Sequence, residues 1–205
     1  MFASLVAYSA LLLGTGALAL PQVSSSAVVT PESCGITSYG PFKLFATRAD
    51  LKTHPTYEVR LVANSTTLPV TSYMAVSTTS SCTNCGVVPS YWTLINKTLN
   101  PYDPSLPSGV HTINKPVVDH QDLEFLTSKV PPPASPIYCG VQLSADTSPL
   151  LSVYGSSSLF TMCAFTSRLP PVTLLTIIYD TTPVHITGYS CYPVKLTMQS
   201  IGIVP

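Results

Sequence analysis

Apolar and polar positions alternate along this chain in runs of four to nine residues, and turn formers separate the runs. Tyr57, Val59 and Leu61 alternate with Glu58 and Arg60, while Val194, Leu196 and Met198 alternate with Lys195 and Thr197. A period of two buries one face of a strand. Phe42–Ala46 opens another strand behind Gly40-Pro41, and Thr71–Thr78, Tyr91–Thr98, Pro136–Leu143, Leu150–Tyr154 and Leu159–Phe165 follow, with Gly155–Ser158 as a turn. Val172–Tyr179 is nearly continuous in β-branched and aliphatic residues and predicts a central strand. Val110–Ile113 and Leu123–Thr127 carry weaker strand patterns. Helix signals are confined to single turns at Thr47–Lys52 and Asp119–Ser128, because spaced Pro and Gly interrupt longer ones. Pro131-Pro132-Pro133 and Ser135-Pro136 predict a stiff extended connector. The expected fold is all-β, a single disulfide-stapled sandwich or barrel. A β-trefoil is the alternative, since Phe42-Lys-Leu-Phe, Tyr91-Trp-Thr-Leu and Leu151-Ser-Val-Tyr make three similar strand openings.

The first segment reads as an address. Leu5–Leu20 is apolar but interrupted by Gly14 and Gly16, and Ala17-Leu18-Ala19 has the small-x-small form of a signal peptidase site. Residues 1–19 are therefore expected to be a signal peptide, 20–33 a polar linker and 34–205 one β-rich domain. The longest later apolar run is strand length, so no membrane association is expected after cleavage.

Behind that leader stand six cysteines, Cys34, Cys82, Cys85, Cys139, Cys163 and Cys191. An even number in a secreted chain predicts three disulfides. Six cysteines allow fifteen pairings and the sequence does not choose among them. The expected set is Cys34–Cys191, tying the domain's ends, Cys139–Cys163, joining two strand-like segments, and Cys82–Cys85, a local turn. Asn64-Ser65-Thr66 and Asn96-Lys97-Thr98 are glycosylation acceptors by pattern.

Composition removes several classes of function. Nine basic and nine acidic side chains give zero formal charge, and charged residues are 9% of the 205, against roughly 25% in ordinary soluble domains. No basic excess exists to neutralise phosphates, so nucleic acid is not an expected partner. Polarity comes instead from 26 Ser and 25 Thr.

Catalytic patterns are thin. Asp180-Thr181-Thr182 after Ile177-Ile178-Tyr179 is similar to an aspartic protease motif over about six residues, but no second copy supplies the partner carboxylate. Asp119-His120-Gln121-Asp122-Leu123-Glu124, with His111 nearby, is the densest polar cluster and the one candidate for a metal, without a recognised ligand spacing. Gly155-Ser156-Ser157-Ser158-Leu159 lacks the closing glycine of a nucleophile elbow, and His54 and His185 have no patterned partner. No phosphate-binding glycine loop occurs, so no cofactor and no enzymatic activity are expected. Trp92 and Tyr102 flank the Asn96 acceptor and are the candidate ligand-binding residues, for stacking on a sugar. As the only Trp in a β-rich chain, Trp92 reads first as core packing. Lys129-Val130-Pro131-Pro132 could present a stiff inhibitory loop to a protease.

The chain resembles the small secreted cysteine-containing proteins of filamentous fungi. The likeness is carried by Ala17-Leu18-Ala19-Leu20-Pro21, Pro41-Phe42-Lys43-Leu44-Phe45-Ala46, and the block Ile137-Tyr138-Cys139, Leu151-Ser152-Val153-Tyr154 and Leu159-Phe160-Thr161-Met162-Cys163. It implies secretion and a β-rich fold and transfers no catalytic residue. The expected role is a non-enzymatic extracellular or cell-wall glycoprotein whose partner is a cell-wall polysaccharide or an extracellular protein. A lectin-like carbohydrate-binding module and a protease inhibitor are the alternatives.

Overall fold

Period-two alternation closes part of this chain into a barrel. The computed structural model describes residues 34–51, 53, 55–78, 85–165, 174–180 and 189–202. In chain order the strands are β1 (Tyr39–Arg48), β2 (Thr56–Ala63), β3 (Val70–Ser77), β4 (Tyr91–Ile95), β5 (Thr98–Tyr102), β6 (His111–Asn114), β7 (Gln121–Asp122), β8 (Glu124–Ser128), β9 (Tyr138–Val141), β10 (Leu150–Val153), β11 (Phe160–Phe165), β12 (Leu174–Tyr179) and β13 (Tyr189–Ser200). β1, β2, β3, β12, β11 and β13 pair antiparallel in that order, and β13 returns to β1. The expected all-β domain is thus a six-stranded closed barrel with added strands, and Pro31–Pro205 form one compact unit.

The register explains which residues face inward. Leu44 stands opposite Met198, and Ala46 opposite Leu196. Val59 pairs with Val76, and Leu61 with Met74. Ile177 pairs with Met162, while Phe160 lies between Tyr179 and Val194. Opposed residues share a face, so each apolar phase read from the sequence lands inside. Most of these side chains are wholly buried.

The remaining strands hang on the barrel. The β4–β5 hairpin joins the start of β1, β9–β10 joins β13, β8 and β6 extend β3, and β7 adds to β12. Of the three similar strand openings, only that at Phe42 lies in the barrel; those at Tyr91 and Leu151 lie in appended pairs. The trefoil alternative is therefore not met.

Two local expectations are also corrected. Tyr91–Thr98 is a hairpin rather than one strand: Asn96 (φ 48°) and Lys97 (φ 65°) take the paired left-handed conformations of a tight hairpin turn. No helix occurs among the described residues. Thr47 and Arg48 complete β1, and Lys52 lies outside the described residues. The stretch from Asp119 makes a turn and then β7 and β8. There Leu123 donates its N–H to the Ile177 carbonyl and its carbonyl accepts from Met74 N–H, so sheet pairing overrides a weak helical pattern.

The disulfides differ from the expected pairing. Cys34 joins Cys139 and Cys163 joins Cys191. The second follows from register, since β11 and β13 place Cys163 directly opposite Cys191. The first follows from a short bridge in which Ile36 and Gly140 exchange both backbone hydrogen bonds, bringing Cys34 beside β9. Neither neighbourhood can be read without strand order. Cys85 is disulfide-bonded; Cys82, its expected partner, lies outside the described residues, as do residues 1–33.

Candidate functional site: a cleft at the open end of the barrel

β1 and β2 pair only over Phe45–Thr47, and their ends then diverge. Beyond that point the free edge of β2 is met by Val87, which exchanges both backbone bonds with Leu61 at 2.8 Å. Gly86 makes this approach feasible: its φ is +77°, and a Cβ there would stand 2.1 Å from the Leu61 carbonyl oxygen. Beside this edge lies a cleft of about 420 Å³, within the range of roughly 300–1,000 Å³ common for small-molecule sites.

The cleft is built from inward-phase residues that have run past the packed core. Leu61 and Ala63 come from β2, and Val70 and Ser72 from β3. Thr127 of β8 stands opposite Val70, and Thr112 of β6 opposite Thr127. The far wall is the loop after β5, through Leu106, Pro107 and Val110. That loop is held by an Asp103 carboxylate accepting from the N–H and hydroxyl of Ser105, and by Val110 N–H donating to the Pro107 carbonyl. Leu68 and Val87 stand at the rim about half exposed.

Of the polar residues lining the cleft, Ser65 and Thr66 stand at its exposed rim. The Thr112 and Thr127 hydroxyls bond each other at 2.8 Å. Ser72 is 6% exposed and lies between Ala63 and Phe125 in the register. Its hydroxyl has no side-chain hydrogen-bond partner among the described residues. Asp103 is the one charged residue of the lining.

Across the same loop lies a second, more polar groove of about 580 Å³, lined by Asn100, Tyr102, Asp103, His111 and Pro131 among others. Tyr102 is 47% exposed, and its ring stacks on Tyr91 at 4.5 Å between centroids. Trp92, the other aromatic singled out, is 1% exposed and packs edge-on against Phe125. The structure therefore separates the two: alternation along β4 sends Trp92 into the core and Tyr91 outward. Asn64 stands exposed just after β2, and Asn96 is exposed at the β4–β5 turn. Val130 is 87% exposed in the irregular connector between β8 and β9.

Two separate sequence observations converge elsewhere. Asp119, His120 and Asp180 each offer a ligand atom, all within 4.8 Å of one another. His120 Nδ1 is 3.1 Å from an Asp180 oxygen, and its Nε2 is 3.4 Å from an Asp119 oxygen. His120 N–H also donates to the Tyr179 carbonyl, at the end of β12. The imidazole thus sits between two carboxylates and ties the turn before β7 to β12. Burial first, then the charge of Asp119 and the neighbouring Tyr154, raise the Tyr179 phenol above its ordinary value. Burial raises the Asp122 carboxyl too, with Thr176 opposing and Glu124 adding to the rise. His111 lies apart from this cluster, on the rim of the Tyr102 groove. In the serine turn, Ser156 and Val153 exchange backbone bonds, which gives that turn a structural role. His54 and His185 lie outside the described residues.

Sequence reading missed Ser72 and the Leu106–Val110 wall. A signal for Ser72 is present: it shares the apolar phase of Met74 and Val76, where a hydroxyl is out of place. The wall carries no comparable signal, because it is irregular. Comparison with family models, with curated proteins and with solved structures returns no match.

Proposed function

We propose that the chain is an exported, non-enzymatic extracellular glycoprotein that acts by binding, and that the cleft at the open end of the barrel is where it binds. The observation that carries this reading is the cleft itself: an apolar recess walled by the continuing inward faces of β2, β3, β8 and β6. The disulfides accord with an oxidising compartment. The sequons stand exposed where an attached glycan would meet solvent.

A second reading, a lectin-like contact with wall polysaccharide, is favoured by the half-exposed Tyr102 above its polar groove. Trp92 contributes nothing to it, being core. One experiment separates the two. The protein, expressed through a secretory pathway, is titrated with the neutral apolar dye Nile red and passed over chitin and β-glucan. Leu106→Arg should abolish saturable dye binding and Tyr102→Ala should preserve it. Retention on a polysaccharide that is lost in Tyr102→Ala would instead establish the second reading. Absence of saturable dye binding refutes the first.

A further inference from the structure

The cleft is selective in its chemistry, and we infer that it takes a neutral molecule with an aliphatic or alicyclic body and one hydroxyl group, a small lipophilic alcohol. This rests on the reading of the cleft as the binding site.

Three observations lead there. The first is Ser72. The residue is 6% exposed, so its hydroxyl has little access to water, and a poorly solvated polar group gains from a hydrogen-bond partner. Ser72 Oγ has none among the described residues, and the residue lines the cleft. It stands where the β3 face changes from core to recess, with Met74 behind it and Val70 ahead. A ligand hydroxyl placed there completes the hydrogen bonding of Ser72, which both donates and accepts.

The second is charge. No Lys, Arg or His lines this cleft, and the single ionisable lining residue is Asp103. A carboxylate or phosphate head would enter an apolar recess with no cation to meet it and one anion opposing it. That disfavours fatty acids and phospholipids and leaves uncharged heads.

The third is the distribution of polarity. The Thr112 and Thr127 hydroxyls satisfy each other, Ser65 and Thr66 stand at the exposed rim, and Leu61, Leu106 and Val110 present only hydrocarbon. A sugar with hydroxyls all round would leave most of them unpaired against this lining. A single-hydroxyl lipophile matches an apolar chamber whose one buried, open hydrogen-bonding position among the described lining residues is Ser72.

The test uses the full, disulfide-bonded protein with Nile red as the reporter, 1-decanol as the alcohol and decanoate at pH 7.4 as its anionic counterpart. Decanol should displace the dye saturably, and decanoate should require at least about tenfold more. Ser72→Ala should weaken decanol about five- to tenfold, the loss of one hydrogen bond. Trp92 fluorescence checks that the variant is folded, and the alcohol–carboxylate comparison on the wild type stands without any variant. Equal displacement by decanol and decanoate, or an unchanged decanol affinity in a folded Ser72→Ala, overturns the alcohol assignment while leaving the cleft as a binding site. Failure of the dye to bind saturably overturns both.

Discussion

The Cys34–Cys139 cross-link spans 105 residues, and Cys163–Cys191 spans 28. The two loops share no residue, so each restricts a different part of the unfolded chain. Loop-closure entropy gives about 4.7 kcal/mol for the longer loop and about 3.6 kcal/mol for the shorter. Replacing each pair by alanine also removes buried sulfur, because Cys139 is fully buried and Cys163 nearly so. That packing loss is of similar size in both, about 1 kcal/mol. The difference between C34A/C139A and C163A/C191A therefore isolates the loop term: the first should be less stable by about 1 kcal/mol. Against wild type, the first should lose about 5–6 kcal/mol. With a slope of about 2 kcal/mol per molar urea, its midpoint falls by roughly 2–3 M. Trp92, the single and fully buried tryptophan, reports the transition by fluorescence. Non-reducing peptide mapping checks the pairing first. A larger loss in C163A/C191A than in C34A/C139A, or less than about 1 kcal/mol in both, would refute the reasoning.

Gly86→Ala should destabilise by about 3 kcal/mol or more, because φ is +77° and the new Cβ meets the Leu61 backbone; Gly109→Ala, at φ +78° with open space around it, should lose only about 1 kcal/mol, both read by urea unfolding. Asn114 accepts from Leu99 N–H and donates to the Ser135 carbonyl from a buried position, so Asn114→Ala should lose about 2–4 kcal/mol and leave the Leu99 amide without its acceptor, seen as faster amide exchange at Leu99. Asp122 has its carboxyl raised by burial, so the folded state holds this proton more tightly than the unfolded one, and stability falls as pH rises above the ordinary carboxylate value. Asp122→Asn should therefore raise the melting temperature at pH 7 by more than at pH 3, and an equal change at both pH values would sink that account.

Strand positions and facing were legible in the chain because the alternating pattern is local. Tyr57, Val59 and Leu61 could be assigned to one side of a strand without knowing what lay opposite. The buried run before Tyr179 announced a central strand because it lacks a polar phase, and β12 does lie between β3 and β11 in the barrel. Ser72 was visible in principle, as a hydroxyl on an apolar phase. The Asp119–His120–Asp180 grouping was not, because Asp180 reaches the turn before β7 only through the β7–β12 pairing.

What the amino-acid order determined by itself was therefore the local matter: short strands, their inward faces, the turns and an even set of cysteines. Tertiary structure alone decided which strands are neighbours, and with that the barrel closure, the partners of Cys34 and Cys163, and the cleft. The physical reason is range. Side-chain alternation is fixed by the backbone geometry of adjacent residues, whereas opposition of Cys163 to Cys191, or of Val70 to Thr127, depends on register between distant segments. That register is set by the combined burial of all the inward faces, which no single segment encodes.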